Sequence, residues 1–158
     1  MKTLIITLSD RAARGEYEDL SGPEIEQQLR AAFQPLEVER VLIGDEPDAL
    51  KAQVQRTGEF DVIITTGGTG IGPRDITPEV VNPMLDKEIP GIMEYIRTKH
   101  AARLPSALLS RSVAGVIGTT LIYTLPGSVK AVREYMEEIL RSLEHALKMI
   151  GGGDHGSM

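Results

Sequence analysis

A chain of 158 residues, 41% hydrophobic and 25% charged, has the size and composition of one domain that buries its own core without a disulfide or structural metal. It contains no cysteine, which excludes thiolate catalysis, cysteine-based zinc sites and disulfide frameworks together. A formal net charge of −6 with only four Tyr and two Phe argues against nucleic acid as a partner, because such binding draws on neutralised phosphates and stacked bases. An acidic chain still binds anions where backbone N–H groups and a few arginines converge. The N-terminus lacks a signal-peptide pattern, and no run approaches the ~20 apolar residues of a membrane span. A cytoplasmic protein with no membrane partner is expected.

Residues 2–8 are a nearly continuous β-branched and aliphatic run, the pattern of a strand covered on both faces. Ser21-Gly22-Pro23 opens a helical pattern in which Ile25, Leu29, Ala32 and Phe33 share a face, and Pro35 ends it. A second strand is expected over 36–43. Gly44-Asp45-Glu46-Pro47 then opens a second helix, with Asp48 as a capping partner for Asp45, Leu50 and Val54 inside, and Gly58 at the end. Residues 60–65 read as a third strand, followed by a glycine loop over 66–75. Thr77-Pro78 reads as N-cap and first residue of a short helix to about Leu85, and a further helix runs from near Pro90 to about Ala102. Residues 113–117 and 120–125 form a hairpin around Gly118-Thr119. After Pro126-Gly127-Ser128, the steps of three and four between Val129, Val132, Met136, Ile139, Leu140, Leu143 and Leu147 mark the clearest helix. Residues 151–158 lack an apolar face and are expected to form a flexible tail after a single domain over 1–150.

Strands alternating with helices imply a three-layer α/β/α domain with a mostly parallel central sheet and a short antiparallel edge hairpin. Ligands bind beyond the carboxyl ends of such strands. Segments 9–14, 44–46, 66–75 and 126–128 all follow strands and should gather along that edge.

The span 67–72 holds four glycines in six residues, directly after a buried strand. Glycine lets the backbone approach a ligand, and successive N–H groups can line an anion nest. Gly67 and Gly72 have the Walker A separation, but Pro73-Arg74 stands where a Lys and a hydroxyl residue are required. Read from Gly68, the dinucleotide fingerprint needs glycine where Pro73 stands. A phosphoacceptor domain needs an acidic residue at the end of the third strand, where Thr65-Thr66 is found and Asp61 lies at the wrong end.

Asp75 follows the loop and Asp45 ends the second strand, so both should face one cleft. Two carboxylates beside a phosphate nest suit Mg²⁺, or the positioning of an attacking phosphate in nucleotidyl transfer. Asp45 has a second reading as a helix cap only. Ser9-Asp10-Arg11 stands at the same edge, where Asp10 holds either a loop or a ligand amine and Arg11 and Arg14 are solvated. Pro126-Gly127-Ser128 before a long helix presents N–H groups and a hydroxyl to phosphate, and Ser128 is equally natural as an N-cap. Glu94 and Arg97, at i and i+3, read as a surface ion pair. His100, His145 and His155 form neither a metal-ligand spacing nor a nucleophilic triad.

In Thr65-Thr66-Gly67-Gly68-Thr69-Gly70, followed by Pro73-Arg74-Asp75-Ile76-Thr77-Pro78-Glu79, the chain resembles the molybdopterin adenylyltransferase family, the Mog and MoaB proteins of bacteria and the G domain of gephyrin. Similar blocks recur at Ser9-Asp10-Arg11, Asp19-Leu20-Ser21-Gly22-Pro23, Asp45-Glu46, Pro90-Gly91 with Glu94 and Arg97, Leu109-Ser110-Arg111 and Leu125-Pro126-Gly127-Ser128. The resemblance implies molybdenum cofactor biosynthesis, with AMP transferred from Mg-ATP to molybdopterin and pyrophosphate released. It implies Asp45 and Asp75 as catalytic carboxylates and Mg²⁺ ligands. It implies phosphate contacts from Gly67, Gly68, Thr69, Gly70, Pro126, Gly127 and Ser128, and pterin or nucleotide contacts from Asp10, Ser21, Gly22, Glu94 and Ser110. A homotrimer or hexamer is implied too, with handover of product to the molybdenum-insertion protein. Ile92 and Met93 stand where the family often has an aromatic and a small residue, and Ser112 where Pro is common. These departures bear on pocket shape and leave open a second reading, a non-catalytic or weakly active molybdopterin-binding carrier or scaffold.

Overall fold

The computed structural model describes residues 1–153; residues 154–158, including His155 and most of the expected tail, lie outside the described residues. Six strands form one sheet: β1 (Lys2–Leu8), β2 (Glu37–Ile43), β3 (Val62–Thr66), β4 (Lys87–Glu88), β5 (Ala114–Ile117) and β6 (Thr120–Leu125), in the order β2-β1-β3-β6-β5-β4. The first four in that order are parallel, and β5 and β4 complete the sheet antiparallel to their neighbours. The helices are α1 (Asp10–Ala13), α2 (Ser21–Ala32), α3 (Pro47–Val54), α4 (Thr77–Val81), α5 (Pro90–Ala101) and α6 (Val129–Ile150). Short 3₁₀ turns cover Asn82–Met84 and Pro105–Leu109.

Alternation along the strands sends side chains into two separate cores. Leu4, Ile6, Leu8, Ile63 and Ile122 pack with Leu50 and Val54 of α3 and Val81 of α4. Ile5, Val62, Ile64, Leu121, Tyr123 and Leu125 pack with residues of α2, α5 and α6, among them Ile25, Leu29, Met93, Ile96, Met136 and Ile139. Because both sheet faces are covered, β1 and β3 are apolar throughout their centres rather than at every second position.

The antiparallel edge is present, but the second strand of the hairpin, β6, is an interior strand; the outermost strand is the two-residue β4, too short to leave a periodic signal. Segment 9–14 contains a helical turn, α1, capped by Ser9, whose Oγ accepts from the Ala12 N–H at 3.1 Å. The expected caps at Asp45 and Thr77 are not formed. The N-cap residues of α3 and α4 are Glu46 and Ile76, neither with a side-chain cap bond. Both displaced side chains are drawn into tertiary hydrogen bonds at the strand ends instead. No helix among the described residues is long and apolar enough to cross a membrane.

From β1 the chain passes to β2 on one side, and from β3 to β6 on the other. The topological switch point therefore lies between β1 and β3, and a crevice is expected beyond their carboxyl ends.

Candidate functional site

An open cleft of about 500 Å³ lies there. It is lined by Asp45, Gly67, Gly68, Thr69, Gly70, Asp75, Ser110, Pro126 and Gly127, which the sequence singles out, and by Leu8, Ser9, Tyr17, Ile71, Ser106 and Leu109. A smaller recess of about 160 Å³ shares Leu8, Ser9, Tyr17 and Gly127 with it and reaches Asp19 and Ser21.

The loop after β3 is held from behind. The Gly67 N–H donates to the Leu125 carbonyl at 2.9 Å, and the Thr66 hydroxyl donates to the Pro126 carbonyl at 2.8 Å. These two bonds fix the loop against the segment entering α6. The Gly67 carbonyl accepts from the buried Thr77 hydroxyl at 2.8 Å, and the Gly68 carbonyl from the Thr77 N–H at 3.0 Å. The Thr69 carbonyl accepts from the Arg111 N–H, and the Gly70 carbonyl from Arg111 Nε, both at 2.8 Å. Every carbonyl from Gly67 to Gly70 thus has a donor. Among the described residues, the N–H groups of Gly68, Thr69, Gly70 and Ile71 donate to nothing. Gly67 and Gly68 have φ of +101° and +69°, and a Cβ at Gly67 would lie 2.3 Å from the Leu8 carbonyl oxygen, so only glycine fits that corner. A backbone arc with its carbonyls tied back and its N–H groups free has the donor arrangement of an anion nest.

Asp10 and Asp45, at the ends of β1 and β2, exchange reciprocal bonds. The Asp10 N–H donates to Asp45 Oδ2 at 3.0 Å, and the Asp45 N–H to Asp10 Oδ1 at 2.9 Å. The remaining capacity of Asp10 goes to Arg74, whose Nε and Nη2 reach it at 2.9 and 3.1 Å while Nη2 also reaches Glu46 at 2.8 Å. Asp10 is therefore a clamp tying the loop to two strand ends. Arg74, together with the Asp45 N–H, holds its carboxyl below the usual carboxylate range. For Asp45 the direction reverses: burial raises its pKa, and the nearby Asp10 and Asp75 carboxylates add to the rise, against the Asp10 N–H and Arg74. Asp75 accepts from the Gly72 N–H at 2.8 Å through Oδ2.

Asp45 Oδ1 and Asp75 Oδ1 have no hydrogen-bond donor among the described residues, and no group of three or more acidic or histidine side chains there could cage a metal. Two available carboxylate oxygens on one cleft suit a divalent cation that takes its other ligands from phosphate or water.

Residues 4–145 fit the family described as "Probable molybdopterin binding domain". The chain belongs to the molybdopterin-binding domain family. It is similar to the molybdopterin adenylyltransferase of Helicobacter pylori strain J99, 38% identical over 152 residues that cover 94% of this chain and 86% of that protein. Its fold is similar to that of a solved Thermus thermophilus structure, the molybdopterin biosynthesis enzyme MoaB, at 42% identity and a TM-score of 0.86 over 96% of each chain. The domain also recurs within longer proteins. The chain is 38% identical over 150 residues to the molybdenum cofactor synthesis protein cinnamon of Drosophila melanogaster, covering 93% of this chain but 25% of that protein.

Several residues that the sequence singles out do not line this cleft. Gly22 is buried at the start of α2, where a Cβ would come within 2.6 Å of Asp19 and 2.8 Å of Thr7. Ser128 is exposed and caps α6. Glu94 is exposed on α5 and makes no ion pair among the described residues; Arg97 donates to the Ser110 and Ser112 carbonyls instead, at 3.4 and 3.0 Å. The departures from the family pattern separate by location. Met93 is buried and Ile92 half-buried in the core, away from the cleft. Ser112 sits beneath Ser110, with their hydroxyls 3.0 Å apart, and the Tyr135 hydroxyl of α6 donates to Ser110 at 2.9 Å. Tyr17, its hydroxyl 2.8 Å from Ser9 Oγ, stands where cleft and recess meet. Neither Tyr17 nor Tyr135 carries a spacing or motif signal that would have singled it out.

Proposed function

We propose that this chain is a molybdopterin adenylyltransferase of molybdenum cofactor biosynthesis, transferring AMP from Mg-ATP to molybdopterin. A phosphate oxygen of the pterin forms a bond to the α-phosphorus of ATP as the α–β bridging P–O bond breaks, and pyrophosphate leaves with that electron pair. The observation that carries this reading is the meeting of four N–H donors that have no acceptor among the described residues with two half-occupied carboxylates on one cleft. The N–H groups of Gly68 to Ile71 stabilise charge on the transferring and leaving phosphates without reorganising. Gly127, before the N-terminus of α6 and packed against Gly67, adds its N–H beside them. Asp45 and Asp75 would hold a Mg²⁺ brought with ATP through their available oxygens, and that ion would supply neutralisation of phosphate charge. The same reading carries a cytoplasmic homotrimer or hexamer that hands its product to a molybdenum-insertion protein.

The test is pyrophosphate release with purified molybdopterin and Mg-ATP, each alone and together. Release is expected only when both are present. Asp75→Asn should lower turnover by about 10²-fold or more while the circular dichroism spectrum is unchanged. Unaltered turnover in that variant removes Asp75 from the machinery. Pterin binding with no pyrophosphate release from the parent protein makes the chain a carrier.

A further inference from the structure

We propose that the Arg111 guanidinium is a positioning group that aims the last N–H of the nest and the residue bearing the Asp75 carboxylate, an inference that rests on the cleft holding phosphates as set out above. A peptide unit is planar and its C=O and N–H point in opposite directions, so whatever fixes a carbonyl fixes the N–H of the next residue. Thr77 takes the carbonyls of Gly67 and Gly68, which directs the N–H groups of Gly68 and Thr69. The Arg111 main-chain N–H takes the Thr69 carbonyl and directs the N–H of Gly70, while its guanidinium takes the Gly70 carbonyl and directs the N–H of Ile71. The four N–H groups directed by these two residues are the same four that have no acceptor among the described residues.

Arg111 does this from a distant part of the chain, in the extended segment between the Pro105–Leu109 turn and β5. Its guanidinium also donates to the Asp75 carbonyl at 3.2 Å, fixing the residue that carries one cleft carboxylate, and pairs with Glu79 of α4. One side chain therefore bridges the loop, the aspartate and the helix that follows. The planar fork supplies donors in fixed divergent directions; an ammonium keeps the charge without that geometry. Lysine at this position is not a conservative change.

The test uses the full chain and inorganic pyrophosphate as the probe, titrated calorimetrically, with adenylyl transfer measured in parallel. Arg111→Ala is expected to weaken pyrophosphate binding about 10- to 100-fold, the loss of one or two charge-assisted bonds' worth of preorganisation. Arg111→Lys is expected to stay folded and to recover little of that affinity. Added methylguanidinium should restore binding and turnover to Arg111→Ala, and methylammonium should not. Should the alanine variant fail to fold, the lysine variant alone decides the matter. Parental affinity in either variant overturns the proposal, as does a fall in Tm with no change in pyrophosphate affinity or response to methylguanidinium. If the parent binds pyrophosphate but transfers no AMP, the adenylyltransferase reading fails and Arg111 is still judged by the titration. If the parent binds neither pyrophosphate nor ATP, both fall together.

Discussion

Among the turns that place glycine at positive φ, two make opposite demands on it. Gly118, at φ +59°, joins β5 to β6 in an exposed turn, and a Cβ there would meet nothing within 4 Å. Gly67, at φ +101°, would drive a Cβ to 2.3 Å from the Leu8 carbonyl oxygen. The hairpin turn has one polar tie from another segment, the Gly118 N–H donating to Asp86 at 2.7 Å. The loop after β3 is tied to Leu125, Pro126, Thr77 and Arg111. One is a chain reversal that any fold of this class needs. The other is assembled by contacts from across the chain, and its glycines are fixed by what surrounds them as much as by their own dihedrals.

The sharpest way to break this contrast is to add a methyl group at each position. Gly118→Ala should cost about 1 kcal/mol, the backbone penalty of the left-handed region alone. Gly67→Ala adds a backbone collision that no side-chain movement relieves, and should cost about 3–5 kcal/mol and nearly abolish turnover. Urea denaturation midpoints at constant slope measure both. Equal losses would mean that the surroundings of Gly67 yield easily and that the loop is not rigidly assembled.

A second contrast lies within the site, between two aspartates that bond to each other. Asp10 is held below its usual 3.8 by Arg74 and the Asp45 N–H, whereas burial and neighbouring carboxylates raise Asp45 above it. Opposite signs follow for stability. The contribution of Asp10 is present above pH 3.8 and is lost as pH falls through its lowered native pKa. The ionised Asp45 costs stability above its raised native pKa, and that cost is relieved as pH falls through that value towards 3.8. Asp45→Asn keeps an oxygen to accept the Asp10 N–H, so at neutral pH it should raise Tm while lowering turnover by about 10²-fold or more. Asp10→Asn should lower Tm at neutral pH, by an amount that shrinks below pH 3.8. Thermal melts from neutral to acid pH decide between them, and a neutral-pH Tm that falls equally in both variants removes the distinction.

The sheet was legible because both its faces are covered: residues 2–8, 60–65 and 120–125 are apolar runs bounded by glycine or polar segments, and β1, β3 and β6 lie there. The gathering of 44–46, 66–75 and 126–128 along one edge followed from strand order. What escaped is non-local. A two-residue strand such as β4 has no period to read. Asp10 sits at the expected edge, but nothing in Ser9-Asp10-Arg11 tells that its carboxylate belongs to Arg74, 64 residues away. Asp45 looks like a cap because it precedes Pro47; it turns aside because the Asp10 N–H is within reach across the parallel pair β1–β2. Thr77 looks like a cap for the same local reason and is recruited by the Gly67 carbonyl. Local rules name the residues that have a polar atom to offer, and the tertiary structure decides where each is used.

Ser128 gives the smallest expected effect and the finest separation of scaffold from site. Its Oγ accepts from the Ala131 N–H at 3.2 Å, capping a helix of 22 residues, while the adjacent Pro126 and Gly127 line the cleft. Ser128→Ala should therefore cost about 1 kcal/mol of stability, and Ser128→Gly only a few tenths. On the proposed function the substitution leaves the phosphate-binding backbone N–H groups in place, and kcat/KM should fall less than about tenfold, under the loss of one charge-assisted bond. Paired denaturation and turnover measurements on Ser128→Ala test this. A fall in kcat/KM of about 10²-fold at unchanged stability would make the hydroxyl a phosphate ligand. The boundary between a backbone-built anion site and its supporting helix would then have to be redrawn one residue further along the chain.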